Sequence, residues 1–162
     1  MKQLVNYFIL LILLNFPAWA QEQITPSAYL QLGRLVINTS ATQIRTSLGT
    51  PDSVSPYTIS GVDGNYVQEW IYRREGLHLG LATDDTTVIP KLIRISADSL
   101  CTLKSSDGIG IGSKPAQIIS LRHQQHPRQV DNRLWLGDAY FGTVFFLRDG
   151  KVIGIFIGQL AE

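Results

Sequence analysis

The chain is poor in the residues that most often carry chemistry. It has one cysteine, Cys101, one methionine, Met1, and three histidines in 162 residues. A lone cysteine excludes an intramolecular disulfide, so Cys101 is expected to be a buried thiol behaving as a small apolar group. Charge is equally sparse, at 17% of residues, with 14 basic and 13 acidic side chains and no basic run. Nucleic acid demands a cationic footprint, so nucleic acid is not an expected partner. His123 and His126 are three apart, but two ligands do not make a zinc site and Pro127 turns this stretch into a loop. His78 reads as a surface cross-strand residue beside Arg73. No serine sits in a nucleophile elbow. The glycines at 108, 110 and 112 are followed by Ser113, Lys114 and Pro115, an order that suits neither a P-loop nor a dinucleotide fingerprint. No set of residues fills three matched catalytic roles, so the chain is expected not to be an enzyme and to need no cofactor or metal.

Long hydrophobic runs are also missing. The longest apolar stretch, from Leu4 to Phe16, contains Asn6 and Asn15 and falls short of the roughly 20 residues of a spanning helix. With Lys2 before it and Ala18-Trp19-Ala20 after it, residues 1–20 read as a cleaved secretory signal. Removing them takes away one charge and leaves 13 basic against 13 acidic residues. Cleavage after Ala20 puts Gln21 first, so there is no lipobox cysteine and no lipid anchor is expected. The expected location is periplasmic or secreted, with membrane attachment only through an uncleaved signal.

What the chain does contain is an internal repeat. Ile37, Gln43, Ile44, Tyr66, Arg74, Gly76 and Gly80 recur at a constant offset of 74 as Ile111, Gln117, Ile118, Tyr140, Arg148, Gly150 and Gly154. The matches fall on a helix start and on both sides of a hairpin turn, as expected of one supersecondary unit built twice. In the first copy Thr39 or Ser40 caps a helix carrying Ile44 and Leu48, and Gly49 and Pro51 stop it. Strands follow at residues 66–74, 77–83 and 91–97. In the second copy Lys114-Pro115 opens a helix at Ile118 and Leu121, residues 123–132 form a polar loop, and strands occupy 134–136, 140–148 and 151–158. Asp149-Gly150 is the strongest hairpin signal, because a tight primed turn needs positive φ. The expected division is 1–20 signal, 21–34 strap, 35–105 first unit and 106–162 second unit.

Hairpin register predicts which side chains share a face. Around a Glu75-Gly76 turn, Trp70, Tyr72, Leu77, Leu79 and Leu81 make an apolar face, and Glu69, Ile71, Arg73, His78 and Gly80 a wettable one. Around Asp149-Gly150, the matching core face is Val144, Phe146, Ile153, Ile155 and Ile157. The opposite face carries Phe141, Phe145, Leu147, Val152 and Phe156, nearly as apolar as the core. These five are the candidate partner-binding residues, since a contiguous exposed apolar patch marks an interface. The alternative is internal cover by residues 24–35, with Ile24, Tyr29, Leu30, Leu32 and Leu35.

Ile37-Asn38-Thr39-Ser40, Leu48-Gly49-Thr50-Pro51, Trp70-Ile71-Tyr72 and Asp107-Gly108-Ile109-Gly110-Ile111-Gly112 together resemble the β-lactamase-inhibitory-protein-like fold family, related to the small outer-membrane assembly lipoproteins of Gram-negative bacteria. The resemblance spans about residues 35–158. It implies an α+β fold of two tandem helix-plus-antiparallel-meander units sharing a curved sheet. It also implies a protein that binds another protein and is not an enzyme, with no binding residues to transfer. The second copy has Arg122-His123-Gln124-Gln125 where the first has its Leu-Gly-Thr-Pro stop. The functional expectation is a secreted or periplasmic non-catalytic protein-binding module. Its alternatives are an envelope-assembly or structural subunit of the same fold and, behind both, a small-ligand-binding or hydrolytic domain.

Overall fold

In the computed structural model, residues 30–138 and 140–159 are described. The expected signal, 1–20, and strap residues 21–29 lie outside them. A two-stranded hairpin comes first, β1 (Gln31–Leu32) and β2 (Leu35–Val36), followed by α1 (Ala41–Leu48). Then come β3 (Ser53–Val54), β4 (Thr58–Ile59), β5 (Tyr66–Tyr72), β6 (Leu77–Thr83) and β7 (Lys91–Ala97). After α2 (Pro115–Leu121) and a 3-10 turn at His123–Gln125 come β8 (Arg128–Val130), β9 (Arg133–Gly137), β10 (Phe141–Arg148) and β11 (Lys151–Gln159). β3 to β11 form one nine-stranded sheet in the order β3-β5-β6-β7-β11-β10-β9-β8, with β4 also on β5. Every pairing in it is antiparallel.

This overturns the α+β expectation of two helix-plus-meander units. The protein is mostly β. Among the described residues the two α-helices have only eight and seven residues, about two turns each, too short to form a layer of their own. Pairing of β7 with β11 joins the strands of both halves into a single sheet, with Ile95, Ser96 and Ala97 opposite Ile157, Phe156 and Ile155. Ile44 of α1 and Ile118 of α2 belong to the same buried cluster, so one core serves both halves of the described residues.

Lateral neighbours in a sheet share a face, which makes the core readable strand by strand. Trp70, Leu79, Ile95, Ile157, Thr143 and Leu136 form one row across six strands, and all are buried. The adjacent row, Tyr72, Leu77, Ala97, Ile155, Phe145 and Leu134, is buried as well. α1 covers this face from one side. Ser40 and Gln43 form a reciprocal capping box at its start. Arg45 stacks 4.7 Å from the Trp70 ring centroid. The Tyr72 hydroxyl donates to the Gly49 carbonyl at 3.1 Å, giving a buried ring a partner for its polar tip.

Trp70, Tyr72 and Leu79 are buried as the hairpin arithmetic predicts, but Ile153 is not. The first turn spans four residues, pairing Tyr72 with Leu77 and Trp70 with Leu79. That slips the expected register by two, which leaves every side chain on its predicted face. The second turn has the expected two residues, with φ of 52° at Asp149 and 67° at Gly150. Beyond it a bulge intervenes. Leu147 pairs with Val152, yet Phe146 pairs with Gly154 and Phe145 with Ile155. The extra residue, Ile153, moves the rest of β11 by one and exchanges its faces relative to β10.

α2 ends on a buried polar cluster. Arg122 is 3% exposed, and its Nε meets Asp107 Oδ2 at 2.7 Å. A terminal guanidinium nitrogen donates to Asp107 Oδ1 at 2.8 Å and to Ser105 Oγ at 2.9 Å. The same guanidinium lies 5.9 Å from the Phe145 ring centroid. These bonds tie the 105–112 loop to the helix. The glycines of that loop spend their N–H groups internally: Gly108 on the Ser105 carbonyl, Gly110 on Ser113 Oγ and Gly112 on the Val152 carbonyl. No donor of these three is left over for a phosphate.

Two outcomes follow from this packing. Phe145→Ala should destabilise by about 3–5 kcal/mol in chemical denaturation, while Phe146→Ala one residue away should cost less than about 1 kcal/mol. Hydrogen bonding to Arg122 holds the Asp107 carboxyl at about 2, below its ordinary 3.8. A depressed carboxyl stabilises the fold above its unfolded pKa and loses that contribution as pH falls through its folded one. Stability should therefore drop between about pH 4 and pH 2, and Asp107→Asn should be weaker at neutral pH with a shallower acid limb.

Candidate functional site

The strands that bury one face present the other, and on it a second row crosses the entire sheet. Ser53, Ile71, His78, Ser96, Phe156, Val144, Trp135 and Arg128 are lateral neighbours in turn. None of them belongs to the core cluster. This open face divides into a polar half on β5–β7 and an aromatic half on β9–β11.

On the polar half Glu69 takes two partners. Arg94 crosses from β7 to pair with one carboxylate oxygen, and His78 Nε2 lies 2.9 Å from the other. The reach of Arg94 depends on Gly80, which stands between it and Glu69 in the lateral row. A Cβ there would come within 3.2 Å of Arg94 Cβ and 3.3 Å of its Nε, so any larger residue would have to push the Arg94 side chain aside by a few tenths of an ångström. Ser96 neighbours His78, but the imidazole turns its Nε2 to the carboxylate. The surrounding backbone N–H groups are engaged in strand pairing, so nothing is free to stabilise an oxyanion. The cluster is a polar network joined across three strands, in which Glu69 Oε2 faces the imidazole but makes no hydrogen bond of its own.

On the aromatic half Phe156 and Trp135 flank Val144, which is only 4% exposed although it lies outside the core cluster. Phe146, in the next row, is 37% exposed, with the Arg133 guanidinium 5.8 Å from its ring centroid. Ile153, displaced by the bulge, joins Trp135 and Phe146 in lining a shallow depression of about 590 Å³. Beyond the aromatic row lies a strip without side chains, where Gly137, Gly142 and Gly158 are lateral neighbours. A Cβ on Gly137 would stand 2.4 Å from the Phe141 carbonyl oxygen, so the β9–β10 turn closes only with glycine. Asp138 braces that turn by accepting the N–H groups of Phe141 and Tyr140 at 2.7 and 2.8 Å. Those bonds, Phe141 first, lower its carboxyl below the usual range.

The five residues expected to bind a partner do not come together. Phe145, Leu147 and Val152 are buried in the core at 2%, 8% and 1% exposure. Leu32 of the N-terminal hairpin lines a small cavity with Phe145, Ile155 and Ile157, so part of the 24–35 segment lies over Phe145. Phe141 and Phe156 are half-buried on opposite faces, since Phe141 pairs with Gln159 on the core-side parity and Phe156 with Val144 on the open side. The bulge at Ile153 causes this: without it Val144 and Phe146 would face inward and Phe145 outward. Of the five, Phe156 does reach the open face; Phe146 and Ile153, expected in the core, join it there because of the bulge, and Trp135 on β9 lay outside the hairpin register that was read.

The remaining candidates are dispersed. His123 Nδ1 lies 3.1 Å from the Ser120 carbonyl, and His126 sits at the end of the 3-10 turn with φ 49°. Among the described residues no three His, Cys, Asp or Glu side chains gather to hold a metal. Cys101 is buried, and burial raises its thiol above the ordinary value. No described helix is long and apolar enough to cross a membrane.

No family model matches the chain, and no curated protein matches it. Among solved structures it is similar to a cysteine-rich secretory protein from Staphylococcus aureus subsp. aureus Mu50, at 15% identity and a TM-score of 0.45. That match covers 75% of this chain and 44% of the other, a likeness too slight to carry an argument about fold or function.

Proposed function

We propose that this chain is a secreted or periplasmic, non-catalytic protein-binding module, and that its contact surface is the open face of β9–β11. The observation that supports this most is the composition of that face: Trp135, Phe146 and Phe156 surround Val144 on the side of the sheet not used for the core. An apolar centre with aromatic anchors and a polar margin is the anatomy of a protein interface. A rigid sheet holds these rings in place, so little ordering entropy is lost on binding. The motif resemblance to inhibitory-protein-like binders belongs to the same proposal and implies the same kind of task.

The test is capture of a partner from envelope and culture fractions with two variants. Phe146→Glu should abolish capture while shifting stability within about 0.5 kcal/mol, as surface changes do. Phe145→Glu should unfold the protein, because it places a charge in the core. Capture by Phe146→Glu equal to that of the unaltered chain would exclude this face as the binding surface.

A further inference from the structure

The open face of β8–β11 is one-sided in charge. Arg128, Arg133, Arg148 and Lys151 all occupy solvent-facing strand positions, next to the aromatic rings. No solvent-facing strand position in this half carries a carboxylate. The nearby acids, Asp131, Asp138 and Asp149, sit in turns, and Asp131 alone reaches the rim of the depression beside Phe146. None of the four cations takes part in an ion pair among the described residues. Elsewhere among the described residues Arg94 is paired with Glu69 and Arg122 with Asp107, while other surface cations stand alone as these do; what distinguishes this face is that no carboxylate shares its strands. The strand positions of this face therefore carry positive charge alone.

Resting on the protein-binding reading, we infer that the partner presents an acidic segment carrying apolar side chains. Its carboxylates meet Arg133, Arg148, Lys151 and Arg128 at the margin, while its apolar groups seat on Trp135 and Phe146. Charge complementarity of this kind steers encounter and rejects basic partners. A nucleic acid or a sulfated polysaccharide would offer anions too, but the centre of this face is aliphatic and aromatic. The chain also lacks the long cationic track that a polyanion uses. A polypeptide with both acidic and apolar residues satisfies both zones.

The test titrates the chain from Gln21 onward with a random glutamate–tyrosine copolymer, reading tryptophan fluorescence. Trp135 lies on this face and Trp70 is buried on the other, so Trp135→Phe should silence the response. The expected result is a response that weakens steeply between about 20 and 200 mM salt, as surface electrostatics do. The Arg133→Glu/Arg148→Glu pair should weaken it by about tenfold or more, and Arg133→Lys/Arg148→Lys by no more than about twofold. No response, or an equal one to a lysine–tyrosine copolymer, would overturn the inference. So would a tighter response to dextran sulfate or single-stranded DNA, which would assign the face to another class of anion. Loss of response and of partner capture on Phe146→Glu, with both retained on charge reversal, would leave the protein-binding face standing and remove the acidic partner. Retention of both in Phe146→Glu would remove the reading on which the inference rests.

Discussion

Three residue pairs between β7 and β11 hold the two halves of the sheet in a common register. Ile95, Ser96 and Ala97 stand opposite Ile157, Phe156 and Ile155, so the inward parity of one half continues into the other. In an antiparallel sheet a one-residue slip at this seam would turn every side chain of β10 and β11 to the other face. Trp70 and Leu136, at opposite ends of a fully buried row, belong to the same core only because the seam keeps its register. The short helices and the N-terminal hairpin then need only to cover a face already in place.

What the seam does for the core it also does for the open face. The row from Ile71 through His78, Ser96, Phe156 and Val144 to Trp135 is continuous for the same geometric reason. Chemistry along it changes midway. On one side Glu69 takes up both Arg94 and His78, and Arg94 lies over the backbone of Gly80 to reach it. On the other, Phe156 and Trp135 flank Val144, and Arg133 stands over Phe146 in the next row. Charges of both signs face one another in the first, whereas the strands of the second carry cations without carboxylates, a charge pattern that favours a partner of the opposite sign.

Much of the local structure was legible in the sequence. The Ser40 cap and Gly49 stop fix α1, Pro115 opens α2, and β6 and β7 begin and end where alternation and turn residues place them. The strands not foreseen are those of two or three residues, β1 to β4 and β8, too short to show a period of two. Fold class was misjudged because capping and stop signals place helices without giving them the length to form a layer: eight and seven residues lie against a nine-stranded sheet. The candidate site failed on a single residue. Face assignment in β10–β11 assumed an unbroken ladder, and nothing in Lys151-Val152-Ile153-Gly154 marks Ile153 as the one to be skipped, beyond the glycine that follows it. One side of the first hairpin was read correctly despite a wrong turn length, since a slip of two is invisible to side-chain parity.

Cross-strand backbone NOEs between β10 and β11 test the register most directly. The bulged ladder predicts contacts of Phe145 with Ile155 and of Phe146 with Gly154, while Leu147 remains opposite Val152. An unbroken ladder from the Asp149-Gly150 turn would instead pair Phe145 with Gly154 and Val144 with Ile155. Observing that second set would return Phe145 to the open face, put Phe146 in the core, and contradict the account of both surfaces.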